Sequence, residues 1–415
     1  MATTKRWDQL RMTEEDWRIL RGDIETYFTP GRPIKEQDLI LGRRDQIQRL
    51  VDCARIPGLH AVVHGERGVG KSSIGNTFHY FISGDRRRVQ YVRVQATASD
   101  TFSSLWMKVF KRLGSNGSRV SEKYASKTIT EDCVLLELES FSAAHLPIIV
   151  IDELDRLTNK GAKIALSDTI KTLSDDAIAA TIVFIGVAET VDQLIEDHAS
   201  VERALRQVEV KRMAGREIRD IVQKGITRVG MLIAKNALER IVFISKGLPY
   251  YAHLLGLHAS QGACDHRSTV VELRDVETGI TRALVDVGHT TRDGYEKAIY
   301  SERSDAIFQE VLLACCLAER DAVGRFTAKG VAEHLFSIIG HRLEVPQFSY
   351  HLNEFCGPKR GGVLQKLGNK RNFKYRFQDA LMEPFVIAQS IEKRVIGEEI
   401  LRKIIPRQVP DLFSI

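Results

Sequence analysis

The 415-residue chain has little of what would take it out of the class of ordinary folded proteins. Its longest apolar runs, such as Ile148 to Ile151 and Ile182 to Ile185, are far shorter than the roughly 20 residues a membrane-spanning helix needs. No transmembrane segment and no membrane partner are expected. Ten prolines and 30 glycines are too few for a low-complexity or collagen-like chain, and an apolar share of 43% is too high for a disordered one. The six cysteines (Cys53, Cys133, Cys264, Cys315, Cys316, Cys356) form no Cys-x-x-Cys, which excludes the usual zinc spacing and suits buried thiols in a reducing compartment. The stretch from Met1 to Asp8 lacks the apolar core of a signal peptide, so a cytoplasmic protein is expected. Charge of one sign is also lacking. Sixty basic residues nearly balance 54 acidic ones, and the net +6 makes the location of the bases more informative than their number.

What is present begins with length, which at ~100–200 residues per domain implies two to four domains. The strongest motif is Leu59-His60-Ala61-Val62-Val63-His64 followed by Gly65-Glu66-Arg67-Gly68-Val69-Gly70-Lys71-Ser72-Ser73. It reads as a buried strand, a glycine-rich turn and a helix start, and it matches G-x-x-x-x-G-K-[ST] in full. Glycines at 65, 68 and 70 remove Cβ atoms so that backbone N–H groups can wrap a phosphate at the positive end of the following helix. Residues Gly65 to Ser73 are the expected ATP-binding loop, with Lys71 on the β and γ oxygens and the Ser72 hydroxyl on magnesium.

A second run, Pro147-Ile148-Ile149-Val150-Ile151-Asp152-Glu153-Leu154-Asp155, reads as a buried parallel strand ending in adjacent carboxylates, like a Walker B strand. Asp152 is expected to hold the magnesium through water, and Glu153 to take a proton from the water that attacks the γ-phosphate. Asn159-Lys160 is followed by Gly161-Ala162 where a guanine-specific pattern requires Asp, so adenine is the expected base.

Between and after these motifs helices alternate with strands. A helix is expected over 72–82, a strand over 89–94, helices near 102–113 and 131–144, a helix around 164–173 and a strand over 180–187. The fold class is therefore α/β, a parallel P-loop sheet with helices on both faces. Here the chain resembles the AAA+ ATPases, especially the origin-recognition and initiator-type branch and the related STAND signalling ATPases, over roughly residues 38 to 390. The resemblance implies that Gly42 and Arg43, in Asp38-Leu39-Ile40-Leu41-Gly42-Arg43-Arg44, border the adenine. It implies that Arg203 or Arg206, in Ser200-Val201-Glu202-Arg203-Ala204-Leu205-Arg206, is an arginine finger reaching a neighbouring subunit, and hence a homo-oligomer. Gly247-Leu248-Pro249 departs from the lid pattern that carries a sensor arginine. As in the STAND-like branch, Pro249 itself is then implied to border the nucleotide.

The expected organisation is an N-terminal helix and linker (1–37), an ATPase domain (38–213), an all-α lid (214–301), a winged-helix domain (302–395) and a C-terminal tail (396–415). The winged helix rests on three helical patterns and a hairpin around Gly368 to Asn372. Lys359, Arg360, Lys366, Lys370, Arg371, Lys374 and Arg376 make that hairpin basic and are the candidate DNA contacts. The third helix, Gln347 to Glu354, has no Arg or Lys, so a protein partner for the winged helix stays open beside duplex DNA. The expected function is an ATP-hydrolysing molecular switch coupled to DNA. The alternative is a STAND-like signalling or scaffold ATPase, for example in a defence or mobile-element system, whose winged helix binds a protein.

Overall fold

The computed structural model describes residues 12–32, 42–82, 88–115, 118–141, 145–188, 191, 195, 201–303, 305–321, 324–369 and 373–408. One compact unit spans Arg32–Arg212, and a second combines Met1–Gly31 with Met213–Ile415. Helix α1 (Glu14–Tyr27) belongs to the second unit.

The first unit contains α2 (Arg44–Arg55), β1 (His60–Gly65), α3 (Lys71–Thr77), β2 (Arg88–Gln95), α4 (Phe102–Phe110), α5 (Glu131–Glu139), β3 (His145–Asp152), α6 (Lys160–Asp175), β4 (Thr181–Val187) and β5 (Leu205–Glu209). The five strands form one parallel sheet in the order β2-β3-β4-β1-β5. Because every strand runs the same way, Gly65, Gln95, Asp152 and Val187 all lie at one edge of the sheet.

Side-chain alternation assigns the two faces. Val62, Ile149, Ile151, Ile182 and Phe184 pack with Trp106 and Phe110 of α4 and Leu166 and Ile170 of α6. Val150 and Ile185 point to the other face, where Gly75 lets α3 approach. A Cβ on Gly75 would sit 2.3 Å from Ile185 Cδ1. The helix expected over 72–82 is shorter than its pattern, since α3 passes at Phe78 into a 3₁₀ turn, Phe78–Ile82. Likewise α5 ends at Glu139, and residues 142–144 lie outside the described set. Asn159, weighed as part of a guanine motif, instead caps α6, its side-chain oxygen accepting from the Ala162 N–H at 3.0 Å.

The second unit contains α1, then α7 (Gly215–Arg228), β6 (Leu232–Ile233), α8 (Lys235–Ser245), α9 (Pro249–Asp265), β7 (Val270–Val271), α10 (Leu273–Asp286) and α11 (His289–Ile299). It continues with α12 (Phe308–Leu317), β8 (Phe326–Thr327), α13 (Ala328–Ile339), α14 (Val345–Phe355), β9 (Leu364–Leu367), β10 (Lys374–Phe377), α15 (Met382–Glu392) and α16 (Glu398–Gln408). Besides the expected helices, β6 and β7 pair in parallel over two residues. Helix α9 is buried along most of its length, with α10 crossing it closely at Gly279. Lys246 and Gly247 turn left-handed at the end of α8 and Pro249 opens α9, as a helix stop and start require.

Helix α1 is held inside this unit. The Phe28 ring fills a notch left by Gly225 of α7 and Gly256 of α9, where added Cβ atoms would meet it at 2.6 and 2.5 Å. In the C-terminal part, β8, β10 and β9 form a three-stranded antiparallel sheet beside α12, α13 and α14. The strand β8 is too short to show an alternating pattern, so the sequence marks only the hairpin. Residues 398–408, expected as part of a tail, are the helix α16. Leu401, Ile404 and Ile405 recur at helical spacing and are buried, and Glu398 pairs with Arg240 of α8 at 2.8 Å.

Candidate functional site

The loop after β1 has the conformation its glycines were expected to serve. Gly65, Gly68 and Gly70 have φ of +146°, +82° and +95°, backbone that side-chain-bearing residues avoid. A Cβ on Gly65 would lie 2.3 Å from the Val210 carbonyl oxygen, so the first glycine is required by packing as well as by conformation. Gly70 is the N-cap of α3 and brings no side-chain cap, which leaves the first-turn N–H groups to an anion. Lys71 is buried and donates from Nζ to the carbonyls of Gly65 at 2.9 Å and Glu66 at 2.7 Å. Burial pushes its pKa down to about 8, against the pull of Asp155, Asp152 and Glu66 and with a small push from Arg67.

The acidic residues stand at the same sheet edge. Asp152 ends β3 and is almost wholly buried, with its side chain 3% exposed. One of its oxygens, Oδ1, accepts from the Glu153 N–H at 2.8 Å; the other, Oδ2, accepts from Arg93 of β2 at 3.2 Å (Nε) and 2.5 Å (Nη2). Glu153 is in the left-handed region at φ +58° and is partly exposed, paired with Arg156 at 2.9 Å. Asp155 accepts from the Val187 N–H at 2.8 Å, which ties this turn to the end of β4. A hydroxyl at Ser72 and a buried carboxylate at Asp152 are hard oxygen donors suited to magnesium. Glycine-lined N–H groups and a lysine suit a triphosphate.

Residues 57–194 match a family model described as an AAA domain. The solved structure of the Aeropyrum pernix ORC2 protein (ADPNP-ADP complexes) has 12% identity and a TM-score of 0.52, covering 92% of this chain and 98% of that one. Over such distant identity the likeness shows the fold alone. The Aeropyrum pernix ORC1 protein in complex with DNA has 14% identity and a TM-score of 0.48, over 92% and 97% of the two chains. Among curated proteins no sequence matches.

Around the glycine-rich loop the structure adds residues that the sequence reading left out. Arg212 reaches Glu66 with Nε at 2.5 Å and Nη2 at 3.3 Å, a two-pronged ion pair onto the phosphate loop. Arg43, expected beside the adenine, is buried, and its Nη2 donates to the Val69 and Lys211 carbonyls, each at 2.8 Å. Gly42 precedes it at φ +66°, while Asp38 to Leu41 lie outside the described residues. Arg203 is exposed in the turn before β5, at the sheet edge opposite the phosphate loop, because His60 pairs with Leu205 while Gly65 ends β1. Arg206 is exposed one position into β5, and Ser200 is outside the described set. Pro249 is in the second unit, in the first turn of α9.

Most of the basic hairpin residues are engaged within their own unit. Arg360 lies over the Phe308 ring at 3.6 Å and donates to the carbonyls of Ala298 and Tyr300. Lys366 donates to Asn353 at 2.8 Å and sits over Phe373, Lys374 pairs with Asp321 at 2.9 Å, and Arg376 donates to Gln365 at 2.5 Å. Lys359 is exposed, and Lys370 and Arg371 lie outside the described residues. Sequence spacing marks a charge but not its partner, so these pairings had no signal in the sequence.

Proposed function

We propose that the AAA domain binds ATP with magnesium and hydrolyses it, and that the protein is a nucleotide-driven switch whose C-terminal helices and three-stranded sheet act as a winged helix on DNA. The observation that carries this reading is the phosphate loop with its buried Lys71 at the sheet edge that also bears Asp152, Glu153 and Asp155. The triphosphate lies along the N–H groups of Gly65 to Ser73, and Lys71 exchanges the Gly65 and Glu66 carbonyls for phosphate oxygens. Ser72 and Asp152 hold the magnesium ion, which when bound screens the phosphate charge. Glu153, whose side chain among the described residues makes a surface pair with Arg156, swings free to take a proton from the attacking water.

Arg203 is too far from its own chain's loop to act there. The length of β1, about 20 Å at ~3.3 Å per residue, separates the two sheet edges, well beyond an arginine's reach. On a second copy Arg203, or Arg206, meets the neighbour's γ-phosphate, so the reading includes a homo-oligomer. In the winged helix α14 is the helix offered to a groove, and Lys359, Lys370 and Arg371 supply phosphate contacts. One observation favours a protein partner instead. Phe336 on α13 and Tyr350 on α14 are 52% and 60% exposed, whereas the neighbouring bases are tied up internally.

The test is ATP turnover with and without duplex DNA at low salt, with Lys71→Ala as the blank and Glu153→Gln as a variant expected to bind ATP without turnover. DNA-stimulated turnover supports the DNA reading. Unchanged turnover without DNA binding moves the winged helix to a protein partner, and wild-type turnover by Glu153→Gln removes Glu153 as the base.

A further inference from the structure

From the geometry at the end of β3 we infer that Arg93 is a resident counter-cation for Asp152 that competes with magnesium, so that it sets the metal concentration at which the site fills. The inference rests on the reading of Asp152 as the magnesium carboxylate. Along β2, Val92 and Val94 enter the core on one face, which leaves Tyr91 and Arg93 on the other with α3. There the Tyr91 hydroxyl donates to the Gly75 carbonyl of α3 at 2.9 Å.

In the strand register the residue level with Asp152 is Gln95, and Arg93 is level with Val150. The Arg93 side chain therefore runs forward by two residues, ~7 Å along the strand, to reach a carboxylate that is not its direct neighbour. Both its Nε and its Nη2 converge on the one oxygen, Oδ2. A carboxylate that is 3% exposed needs a compensating charge at all times, and arginine is charged at every accessible pH. Lys71 lies close enough to feel Asp152, but its Nζ is spent on the loop carbonyls. The Arg93 guanidinium thus supplies the charge on Asp152 that a metal ion supplies when one is bound.

Two cations then compete for one carboxylate. With Arg93 in place, the divalent ion meets a carboxylate already paired with a cation and a fixed positive charge within a few ångströms. Arg93 is a positioning residue. It acts through the orientation and charge of Asp152.

The experiment titrates magnesium into the full chain holding a fluorescent ATP analogue and reads the half-saturating concentration from nucleotide affinity, without turnover. Arg93→Gln is expected to lower that concentration by about tenfold or more, and Arg93→Lys, which keeps the charge but loses the fork, to fall between. Binding of manganese alone to the nucleotide-free protein, read by electron paramagnetic resonance, is expected to appear in Arg93→Gln and vanish in Arg93→Gln/Asp152→Asn. A folded Arg93→Gln protein whose half-saturation is unchanged or raised overturns the inference, because a merely structural arginine lowers stability without sharpening metal binding. If Arg93→Gln does not fold, the Arg93→Lys titration decides alone, and an unshifted value overturns the inference. A wild-type protein whose nucleotide affinity ignores both magnesium and Asp152→Asn overturns the reading of Asp152 and this inference with it.

Discussion

Lys71 should give ATP affinity and folding stability opposite responses to alkaline pH. Its pKa is about 8, against an ordinary value of 10.5, because the buried ammonium loses more hydration than Asp155, Asp152 and Glu66 return. Below pH 8 the folded protein carries that buried charge at a cost of ~3 kcal/mol, the free-energy equivalent of the gap between the two values. From pH 8 to 10.5 the unfolded chain keeps a proton that the folded chain has released, so this group's contribution to stability rises with pH until the cost is relieved. A bound triphosphate reverses the preference by placing negative charge on Nζ. ATP binding above pH 8 therefore takes up a proton, and affinity should fall by up to about tenfold per pH unit. Calorimetric titration of ATP at pH 7, 8, 9 and 9.5 should show a break near 8, with proton uptake visible as a buffer-dependent heat. In Lys71→Arg, which stays charged throughout, any residual affinity should lack the break. Flat wild-type affinity from pH 7 to 9.5, or the same break in Lys71→Arg, would refute the argument.

Three further outcomes follow from the packing. Phe28→Ala should cost ~3–5 kcal/mol and expose α1 to hydrogen exchange, and Gly256→Ala should be harmful in the wild type but much less so beside Phe28→Ala; additive effects in a melting series would mean that the ring does not fill that notch. Arg212→Gln should weaken ATP binding by about tenfold through loss of the Glu66 pair, with partial recovery in Glu66→Arg/Arg212→Glu; no recovery would assign the effect to Arg212 alone. His60 and His253 are held neutral by burial, with pKa values of about 3 and about 4, so each favours the unfolded state once pH falls below ~6.5, by ~1.4 kcal/mol per pH unit. Urea midpoints measured from pH 6.5 to 4.5 should fall accordingly, and constant midpoints would contradict the burial of both rings.

How much was legible in the sequence depends on whether a feature is local. The phosphate loop was legible because its chemistry is contiguous. Three glycines, a lysine and a serine have to sit at fixed spacing for the backbone itself to bind the anion. The strands Pro147 to Ile151 and Thr181 to Val187 were legible because a parallel strand covered on both faces is apolar throughout. The partners of charged residues were not. Arg93 finds Asp152 from 59 positions away, and Arg212 finds Glu66 across 146. The basic run from Lys359 to Arg376 reads as an open patch in sequence, yet Asp321, Asn353 and Phe308 lie against it once the chain has folded.

Sequence by itself determined that an α/β phosphate-loop domain forms here and which edge of its sheet carries the glycine-rich loop and the carboxylates, because local backbone geometry and strand polarity follow from residue order. Tertiary structure alone decided which cation faces the buried Asp152, that Arg203 stands at the far edge of its own sheet, and that Phe28, at the C-terminal end of α1, seats its ring in a notch of two glycines. Those outcomes depend on strand order and on close approach between elements distant along the chain, and neither is encoded in any short stretch of residues.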